Sequence, residues 1–292
     1  MIDFNTKSFF TFAQRKVVYH HYSPKKSIVT ILMLHGFSEH SFIWLRTVEE
    51  LAENLHCDFI IPDLSGHGFS DWREKGDYNI SNYADDIERV IEGLNLQSII
   101  LVGHSMGGRI AKELVLRKFP VVKGMILVDF CPGIEGSQSA DAMLENFKKA
   151  TSRSWTPDEY KNFLILTRPL IPEEELDWVV SQLLSARQGE GFLRVDPRIA
   201  HYHSDKKFAS KHQCREVDLA NLSVSIIRGQ YSSFVSEEQA RNYLKAFQFS
   251  SYFSVPKCGH GLIIENNRGF NKTLLQSLIS IFQRNQMKDV MG

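Results

Sequence analysis

One short motif in the sequence has the residue types and spacing of a nucleophilic serine site. Residues 103–107 read Gly-His-Ser-Met-Gly, directly after the apolar, strand-like residues 99–102 and before a helical pattern. A sharp turn from strand to helix holds a serine hydroxyl clear of the backbone, where it can attack a carbonyl carbon. Such a turn crowds the chain, so glycines are needed where a Cβ atom would collide. We therefore expect Ser105 to be a nucleophile.

A histidine between two glycines is the candidate base for this serine. A serine hydroxyl is a weak nucleophile unless a neighbouring base takes its proton. The candidate is His260, which lies between Gly259 and Gly261 and follows the strand-like residues 252–255. The two glycines allow the backbone around the histidine to come close to another loop. We expect His260 to take the proton from the serine.

Two backbone amides are candidates for stabilising the negative charge that develops on the attacked carbonyl oxygen. Preorganised N–H donors lower the energy of such an oxyanion. One donor is the amide of Met106, directly after the serine. The other is the amide of Phe37, in the loop after the apolar run at residues 28–34, where Gly36 permits the necessary turn. We expect these two amides to form an oxyanion hole.

The elements that must position these residues alternate between strand-like and helical patterns. Runs that are apolar on both faces are typical of strands covered on both sides. They occur at residues 28–34, 58–61, 98–102, 125–128 and 223–227. Helical periodicity occurs at residues 83–94, with Ser81 as the expected N-cap, at residues 106–115 and at residues 270–282, and residues 8–22 predict antiparallel edge strands. This alternation predicts an α/β fold with a mostly parallel central sheet and helices on both faces.

The region between residues 131 and 220 departs from this alternation. It contains no clear strand-like run and predicts helices at residues 140–151, 157–166 and 173–187. A long insertion in a compact domain usually has a function. We expect a core domain formed by residues 1–130 and 221–292, with a helical insertion at 131–220. The aromatic residues of the insertion either line a pocket or form its own core.

Composition and charge exclude several classes of protein. The 34 Lys and Arg residues balance the 34 Asp and Glu residues, which argues against a nucleic-acid partner. The longest apolar run is much shorter than a membrane span, and the first residues lack the features of a signal peptide, so we expect a cytoplasmic protein. The sequence has no phosphate-binding glycine motif and no metal-ligand spacing, so we expect neither a cofactor nor a metal. It does not indicate an oligomeric state.

Four motifs, in this order and spacing, resemble those of the α/β-hydrolase fold superfamily. They are His-Gly-Phe at residues 35–37, residues 63–70, residues 103–108 and Gly-His at residues 259–260. The resemblance covers most of the chain apart from the insertion, which looks like the family's cap domain. It implies Ser105 as the nucleophile, His260 as the base, and the amides of Phe37 and Met106 as the oxyanion hole. The family's dehalogenases and epoxide hydrolases use an aspartate nucleophile, so the serine argues against both.

The third member of the expected triad, a carboxylate that orients the histidine, departs from the usual family pattern. In most of the family it follows the strand that here is residues 223–227, but residues 228–234 contain no carboxylate. The other family position is the end of the preceding strand, where Asp129 stands. We therefore expect Asp129 to orient the histidine. A Ser-His dyad aided by Ser232 or Ser233 and an impaired triad are the alternatives.

Together these residues predict a serine hydrolase of the acyl-transfer type. The expected substrate is a small to medium, largely apolar carboxylic ester, which the serine attacks to form an acyl-enzyme. A hydrolase of carbon–carbon bonds in vinylogous diketones, which in this family resembles the same triad, is the closest alternative. A small-molecule receptor on a hydrolase scaffold is the alternative from a different class, because no carboxylate stands near Ser232 in the sequence.

Overall fold

The computed structural model describes residues 5–10, 14–24, 27, 29–117, 121–132, 138–187, 190–204 and 222–285. The strands in these residues are β1 (Asn5–Phe10), β2 (Lys16–Tyr22), β3 (Thr30–Leu34), β4 (Asp58–Pro62), β5 (Ile99–His104), β6 (Val122–Val128), β7 (Leu184–Arg187), β8 (Glu190–Leu193), β9 (Ser223–Gly229) and β10 (Phe249–Val255). The helices are α1 (Phe42–Ala52), α2 (Ile80–Gly93), α3 (Met106–Leu116), α4 (Gln138–Thr151), α5 (Pro157–Thr167), α6 (Glu173–Leu183), α7 (Ile199–Ser204), α8 (Glu237–Leu244), α9 (Leu262–Glu265) and α10 (Asn267–Arg284). None of these helices combines the length and the apolar composition that crossing a membrane requires.

Eight of the strands form one sheet in the order β1-β2-β4-β3-β5-β6-β9-β10. From β4 to β10 in this order all neighbours are parallel, whereas β2 is antiparallel to both β1 and β4. The mostly parallel sheet and the antiparallel strands at its N-terminal edge are therefore confirmed. Strands β3 and β5 are buried along their whole length, which explains why their sequences are continuously apolar rather than alternating.

Hydrophobic cores lie on both faces of the sheet. Successive residues of β5 belong to different cores, because neighbouring side chains of a strand point to opposite faces: Leu101 lies in one core and Val102 in the other. On the Val102 side, Trp44 of α1 packs against Phe270 of α10 with ring centroids 6.0 Å apart. Burial of each large apolar side chain stabilises the fold by about 1.5–3 kcal/mol. The two cores therefore pack both faces of the sheet whose strand ends carry the candidate site residues.

Helix α2 begins earlier than the sequence predicts. Its N-cap is Asn79 and not Ser81, and the Asn79 side chain accepts a hydrogen bond from the amide of Asn82 at 2.8 Å. Both residue types are favoured as N-caps, so local preference does not distinguish them. The hydroxyl of Ser81 accepts a hydrogen bond from the Arg117 guanidinium at 2.8 Å instead. A tertiary contact therefore accounts for the different boundary.

The elements from α4 to α7, including the β7–β8 hairpin, lie between β6 and β9 in the chain, and we call them the inserted segment. It is not wholly helical. The helix predicted over residues 173–187 ends at Leu183, and the next four residues form β7, which pairs antiparallel with β8. These residues have no strand pattern of their own, so their pairing with β8 decides their conformation. Residues 133–137, 188–189 and 205–220 of the predicted insertion lie outside the described residues.

Aromatic and polar contacts attach the inserted segment to the sheet domain. The Arg46 guanidinium of α1 lies 3.8 Å from the ring centroid of Trp178 in α6 and also pairs with Glu175. On another side, the hydroxyl of Tyr78 donates a hydrogen bond to the buried carboxylate of Asp196 at 2.5 Å. These contacts hold the inserted segment over the carboxyl ends of the parallel strands.

Candidate active site

Ser105 lies at the turn between β5 and α3. Its φ of 51° and ψ of −112° fall outside the conformations that residues with a side chain normally adopt. A Cβ atom at Gly103 would lie 2.4 Å from the carbonyl oxygen of Gly107, and one at Gly107 would lie 2.2 Å from that of Leu34. Because these contacts involve backbone atoms, only glycine fits at either position. The packing of this turn maintains a backbone strain of about 1–3 kcal/mol at the serine.

His260 lies in the loop between β10 and α9 and faces the serine. Its Nε2 is 2.9 Å from Oγ of Ser105. The imidazole stacks on the ring of Phe234, with centroids 4.0 Å apart and planes 24° apart. Phe234 follows β9, and the sequence analysis did not single it out, since an aromatic residue in a loop carries no specific signal. This contact limits the rotation of the imidazole.

Asp129 directly follows β6 and is completely buried. Its Oδ2 is 2.7 Å from Nδ1 of His260, and its Oδ1 accepts a hydrogen bond from the amide of Gly229 at 2.9 Å. A carboxylate in this place accepts the Nδ1 hydrogen, which leaves Nε2 unprotonated and able to accept the hydrogen of the serine hydroxyl. The structure thus brings together the serine, the histidine and the aspartate that the sequence analysis named.

The loop after β9, which contains no carboxylate at residues 228–234, contains a serine that binds Asp129. Oγ of Ser232 donates a hydrogen bond to Oδ2 of Asp129 at 2.6 Å and accepts one from the amide of Val235 at 3.2 Å. The sequence alone leaves Ser232 as an alternative partner of the histidine in place of an acid. In the structure its hydroxyl contacts the acid itself. Ser233, the other serine considered, lines the neighbouring cavity.

The two amides predicted to hold the oxyanion belong to turns that pack against each other. Met106 is the first residue of α3, so its amide lies at the positive end of the helix dipole. Phe37 follows β3, and this turn contacts the start of α3, since a Cβ atom at Gly107 would lie 2.7 Å from the carbonyl oxygen of His35. Phe37 and Ser105 line the same cavity. Both predicted amides therefore belong to turns that meet at the start of α3.

A cavity of about 390 Å³ adjoins Ser105 and His260. Its wall is mainly apolar and is formed largely by the inserted segment. Apolar side chains of this wall include Phe37, Met143, Phe147, Phe163, Leu164, Leu170 and Phe234. Polar side chains of the wall include Glu39, Asn146, Arg168 and Glu265. Its size and lining fit an organic molecule with a substantial apolar part and a few polar groups.

The aromatic residues of the inserted segment have both of the roles that the sequence left open. Tyr160 and Phe163 line the cavity. Trp155 packs against these two rings, with centroid distances of 5.6 Å and 5.1 Å. Trp178 packs against Phe42 of α1, with centroids 5.4 Å apart. One aromatic cluster therefore forms part of the cavity wall and supports it from behind, and a separate contact joins the inserted segment to α1.

Comparison with known proteins assigns the chain to a family. The family model described as the alpha/beta hydrolase fold matches residues 29–267. The chain belongs to this family. Among curated alpha/beta hydrolase relatives, monoacylglycerol lipase ABHD6 of Homo sapiens is 25% identical over 283 residues, which cover 89% of this chain and 78% of the relative. The 2-(acetamidomethylene)succinate hydrolase of Mesorhizobium japonicum is 27% identical over 212 residues, which cover 70% of this chain and 72% of the relative.

Solved structures of the alpha/beta hydrolase fold are similar over almost the whole chain. A crystal structure of E-2-(acetamidomethylene)succinate hydrolase has a TM-score of 0.78 at 20% identity and covers 95% of this chain and 100% of that one. A Mycobacterium tuberculosis esterase has a TM-score of 0.73 at 20% identity, with 96% and 93% of the two chains covered. At these identities the likeness shows the fold alone. Family membership together with the hydrolase relatives identifies this alpha/beta hydrolase fold protein as a hydrolase.

Proposed function

We propose that this hydrolase is a serine esterase that cleaves small to medium, largely apolar carboxylic esters. The proposal depends above all on the continuous contact from Ser105 Oγ to His260 Nε2, at 2.9 Å, and from His260 Nδ1 to Asp129 Oδ2, at 2.7 Å. This arrangement adjoins a cavity with a mainly apolar wall. The relative named as a monoacylglycerol lipase, which matches 89% of this chain, supports an ester as the substrate class.

In the first half of the reaction the serine becomes acylated. Oγ of Ser105 attacks the ester carbonyl carbon while Nε2 of His260 takes the hydroxyl proton, and the carbonyl oxygen acquires the negative charge. The imidazolium formed at His260 is stabilised by the Asp129 carboxylate. When the tetrahedral intermediate collapses, the bond to the alcohol oxygen breaks, and Nε2 gives its proton to that oxygen. The alcohol leaves, and an ester of Ser105 stays behind.

In the second half, water releases the acid. Nε2 of His260 takes a proton from a water molecule as its oxygen attacks the acyl carbon, and collapse returns that proton to Oγ of Ser105. The amides of Phe37 and Met106 hold the oxyanion in both halves. Loss of one oxyanion donor typically lowers kcat by about 10²–10³-fold, so these amides supply a large part of the rate enhancement.

The other two functions predicted from the sequence differ in their support. Hydrolysis of carbon–carbon bonds requires the same three side chains, so substrate tests separate it from ester hydrolysis. The receptor hypothesis depended on a missing acid beside Ser232. A carboxylate, that of Asp129, lies 2.7 Å from the histidine, so this reason for a receptor no longer applies.

Labelling with a fluorophosphonate probe tests the proposal. We expect the probe to label wild type and to leave Ser105→Ala unlabelled, because only an activated serine attacks the phosphorus. Ser139→Ala changes another serine of the cavity wall and should be labelled like wild type. Folded wild type that is not labelled would contradict the proposal. A series of p-nitrophenyl esters then defines the preferred acyl length, and turnover of vinylogous diketones without ester turnover would favour the carbon–carbon hydrolase.

A further inference from the structure

A second histidine, His104, is buried directly before the serine at the end of β5. Its Nδ1 lies 3.0 Å from Oε2 of Glu39, and its Nε2 lies 2.8 Å from the backbone carbonyl oxygen of His260. A backbone carbonyl and an ionised carboxylate only accept hydrogen bonds. Each ring nitrogen of His104 must therefore carry a hydrogen, provided that Glu39 is ionised. The ring is then a buried imidazolium.

Glu39 has the environment of an ionised carboxylate. It accepts hydrogen bonds from His104, from the amide of Gly36 at 3.2 Å and from Nη2 of Arg168 at 3.1 Å. Burial raises the pKa of Glu39, but the charge and hydrogen bond of His104, followed by those of Arg168, hold this pKa well below its usual range. Burial likewise lowers the pKa of His104, but Glu39, together with the His260 carbonyl and Asp129, outweighs burial and raises it above its ordinary value. Each group keeps the other charged.

We propose that His104, held as an imidazolium by Glu39, is a positioning residue that keeps His260 in place for proton transfer to and from the serine. This inference rests on the proposed function, in which His260 is the base. His104 does not touch the reacting atoms. It acts through its hydrogen bond to the main chain of His260, and Glu39 acts through His104.

The geometry explains why this second attachment matters. Asp129 and Phe234 hold the imidazole of His260, but neither holds its backbone. The hydrogen bond from His104 fixes the carbonyl group of the same residue, and a bond from a charged donor is about twice as strong as a neutral one. The rings of His104 and His260 are 4.9 Å apart, so a change in the charge of His104 also acts at short range on the base. A catalytic group displaced by about 1 Å can lose about 10²-fold in rate.

The same contacts reach the inserted segment. Arg168 directly follows α5, lines the cavity and donates to Glu39. Three polar contacts therefore join the inserted segment to the backbone of His260: Arg168 to Glu39, Glu39 to His104, and His104 to the carbonyl oxygen. The packing of the inserted segment against the rest of the protein thereby helps to position His260.

The charge of His104 is tested by nitrogen-15 spectra of the histidine rings, which need no substrate. At about pH 8.5 an ordinary histidine, with a pKa of about 6.5, is neutral. We expect the ring of His104 in wild type to keep hydrogens on both nitrogens at this pH. In Glu39→Gln the same ring should give the signal of a neutral imidazole. The matched control is Glu265→Gln, which removes another cavity carboxylate while its amide oxygen still accepts from Gly259. It should keep the doubly protonated ring.

The positioning role is tested by kinetics over a range of pH. In Glu39→Gln we expect kcat at about pH 8 to fall by roughly 10- to 100-fold, with KM changed less than about twofold. The ratio of variant to wild-type kcat should rise towards one as the pH falls, because His104 regains its second proton. The groups that act on His104 are Glu39, Asp129 and His260, and Arg168 pairs with Glu39; only Glu39 differs between the two proteins. A merely structural defect would give a ratio independent of pH.

Several outcomes decide between this inference and the proposed function. A wild-type spectrum without a doubly protonated ring at about pH 8.5, while the probe still labels Ser105, overturns the positioning role alone. The same holds if Glu39→Gln keeps kcat within about twofold of wild type at every pH. The remaining outcome is a doubly protonated ring in wild type while the fluorophosphonate probe fails to label Ser105. That result overturns the proposed function and, with it, the role of His104 in that reaction.

Discussion

The hydroxyl of Ser232 donates a hydrogen bond to Oδ2 of Asp129 at 2.6 Å, and the same oxygen lies 2.7 Å from Nδ1 of His260. The two residues follow β9 and β6, which are neighbours in the parallel sheet. The carboxylate of Asp129 and the hydroxyl of Ser232 therefore meet at one point beside the histidine. Because both side chains reach this point, we expect a carboxylate at either position to be able to orient the histidine.

Removal of the acid should disable catalysis without weakening substrate binding. In Asp129→Asn we expect kcat to fall by about 10⁴-fold, the loss known for the same change in a serine-protease triad, with KM little changed. The reason is that the uncharged side-chain amide introduced at position 129 neither stabilises the imidazolium of His260 nor selects the required tautomer of its ring. Steady-state hydrolysis of an aryl ester measures both constants. Asp141→Asn, an exposed change in α4, is the control, and a loss below about tenfold would exclude Asp129 as the acid.

Moving the acid to position 232 should restore part of the activity. In the double variant Asp129→Asn, Ser232→Asp we expect kcat to exceed that of Asp129→Asn by at least about tenfold, a fraction of the 10⁴-fold loss. The new carboxylate starts from a side chain that already reaches the Nδ1 side of the histidine. Ser233→Asp in the same background places a carboxylate on an exposed residue and should restore nothing. Equal activity of the two double variants would contradict this geometry.

Gly107, two residues after Ser105, should not tolerate any side chain. Gly107→Ala places a Cβ atom 2.2 Å from the carbonyl oxygen of Leu34, so the free energy of unfolding should fall by about 1–3 kcal/mol and kcat should fall with it. Gly259→Ala is the control for folding, because its Cβ atom meets the flexible end of Leu170 at 3.2 Å. Urea unfolding measures both variants. Similar stability losses would show that the turn at the serine is not as tightly packed as the structure indicates.

The pair of Glu39 and His104 predicts a stability difference that depends on pH. The folded pKa of Glu39 is lowered, so its stabilisation is present above the unfolded value of about 4.5 and is lost as the pH falls through the folded value. The folded pKa of His104 is raised, so its stabilisation is present below about 6.5 and is lost as the pH rises through the folded value. Between the two unfolded pKa values, about 4.5 for Glu39 and about 6.5 for His104, both contributions are present. In this pH range the free energy of unfolding of wild type should exceed that of Glu39→Gln by about 1–3 kcal/mol.

Urea unfolding of wild type and Glu39→Gln at about pH 3, 6 and 9 measures this difference, which should be largest at the middle value. Glu265→Gln again serves as the control, since Glu265 pairs with an amide and not with His104. A difference between wild type and Glu39→Gln that is the same at all three pH values would show that the two groups are not a charged pair.

Features that depend on residues close together in the chain can be predicted from the amino-acid sequence alone. Continuous apolar runs indicated a parallel sheet, because strands covered on both faces have no polar side, and the sheet order confirms this. The turn at Ser105 was also readable, since Gly103 is required by the backbone atoms of Gly107 and Gly108 in the same turn. These patterns act over a few residues, so they leave a trace in the sequence. The helix predicted over residues 173–187 is wrong for Leu184–Arg187, because these residues pair with β8 despite their helical pattern.

Contacts between side chains that are far apart in the chain depend on the tertiary fold. Asp129 and Ser232 are 103 positions apart and share a hydrogen bond because β6 and β9 are adjacent in the sheet. Glu39 and His104 are 65 positions apart, and Arg168 lies 129 positions from Glu39. Burial alone disfavours each of these charges, and they persist because the fold places opposite charges in hydrogen-bond contact where little water screens their attraction. Burial of this kind depends on the packing of the inserted segment over the sheet, and no local pattern in the sequence records it.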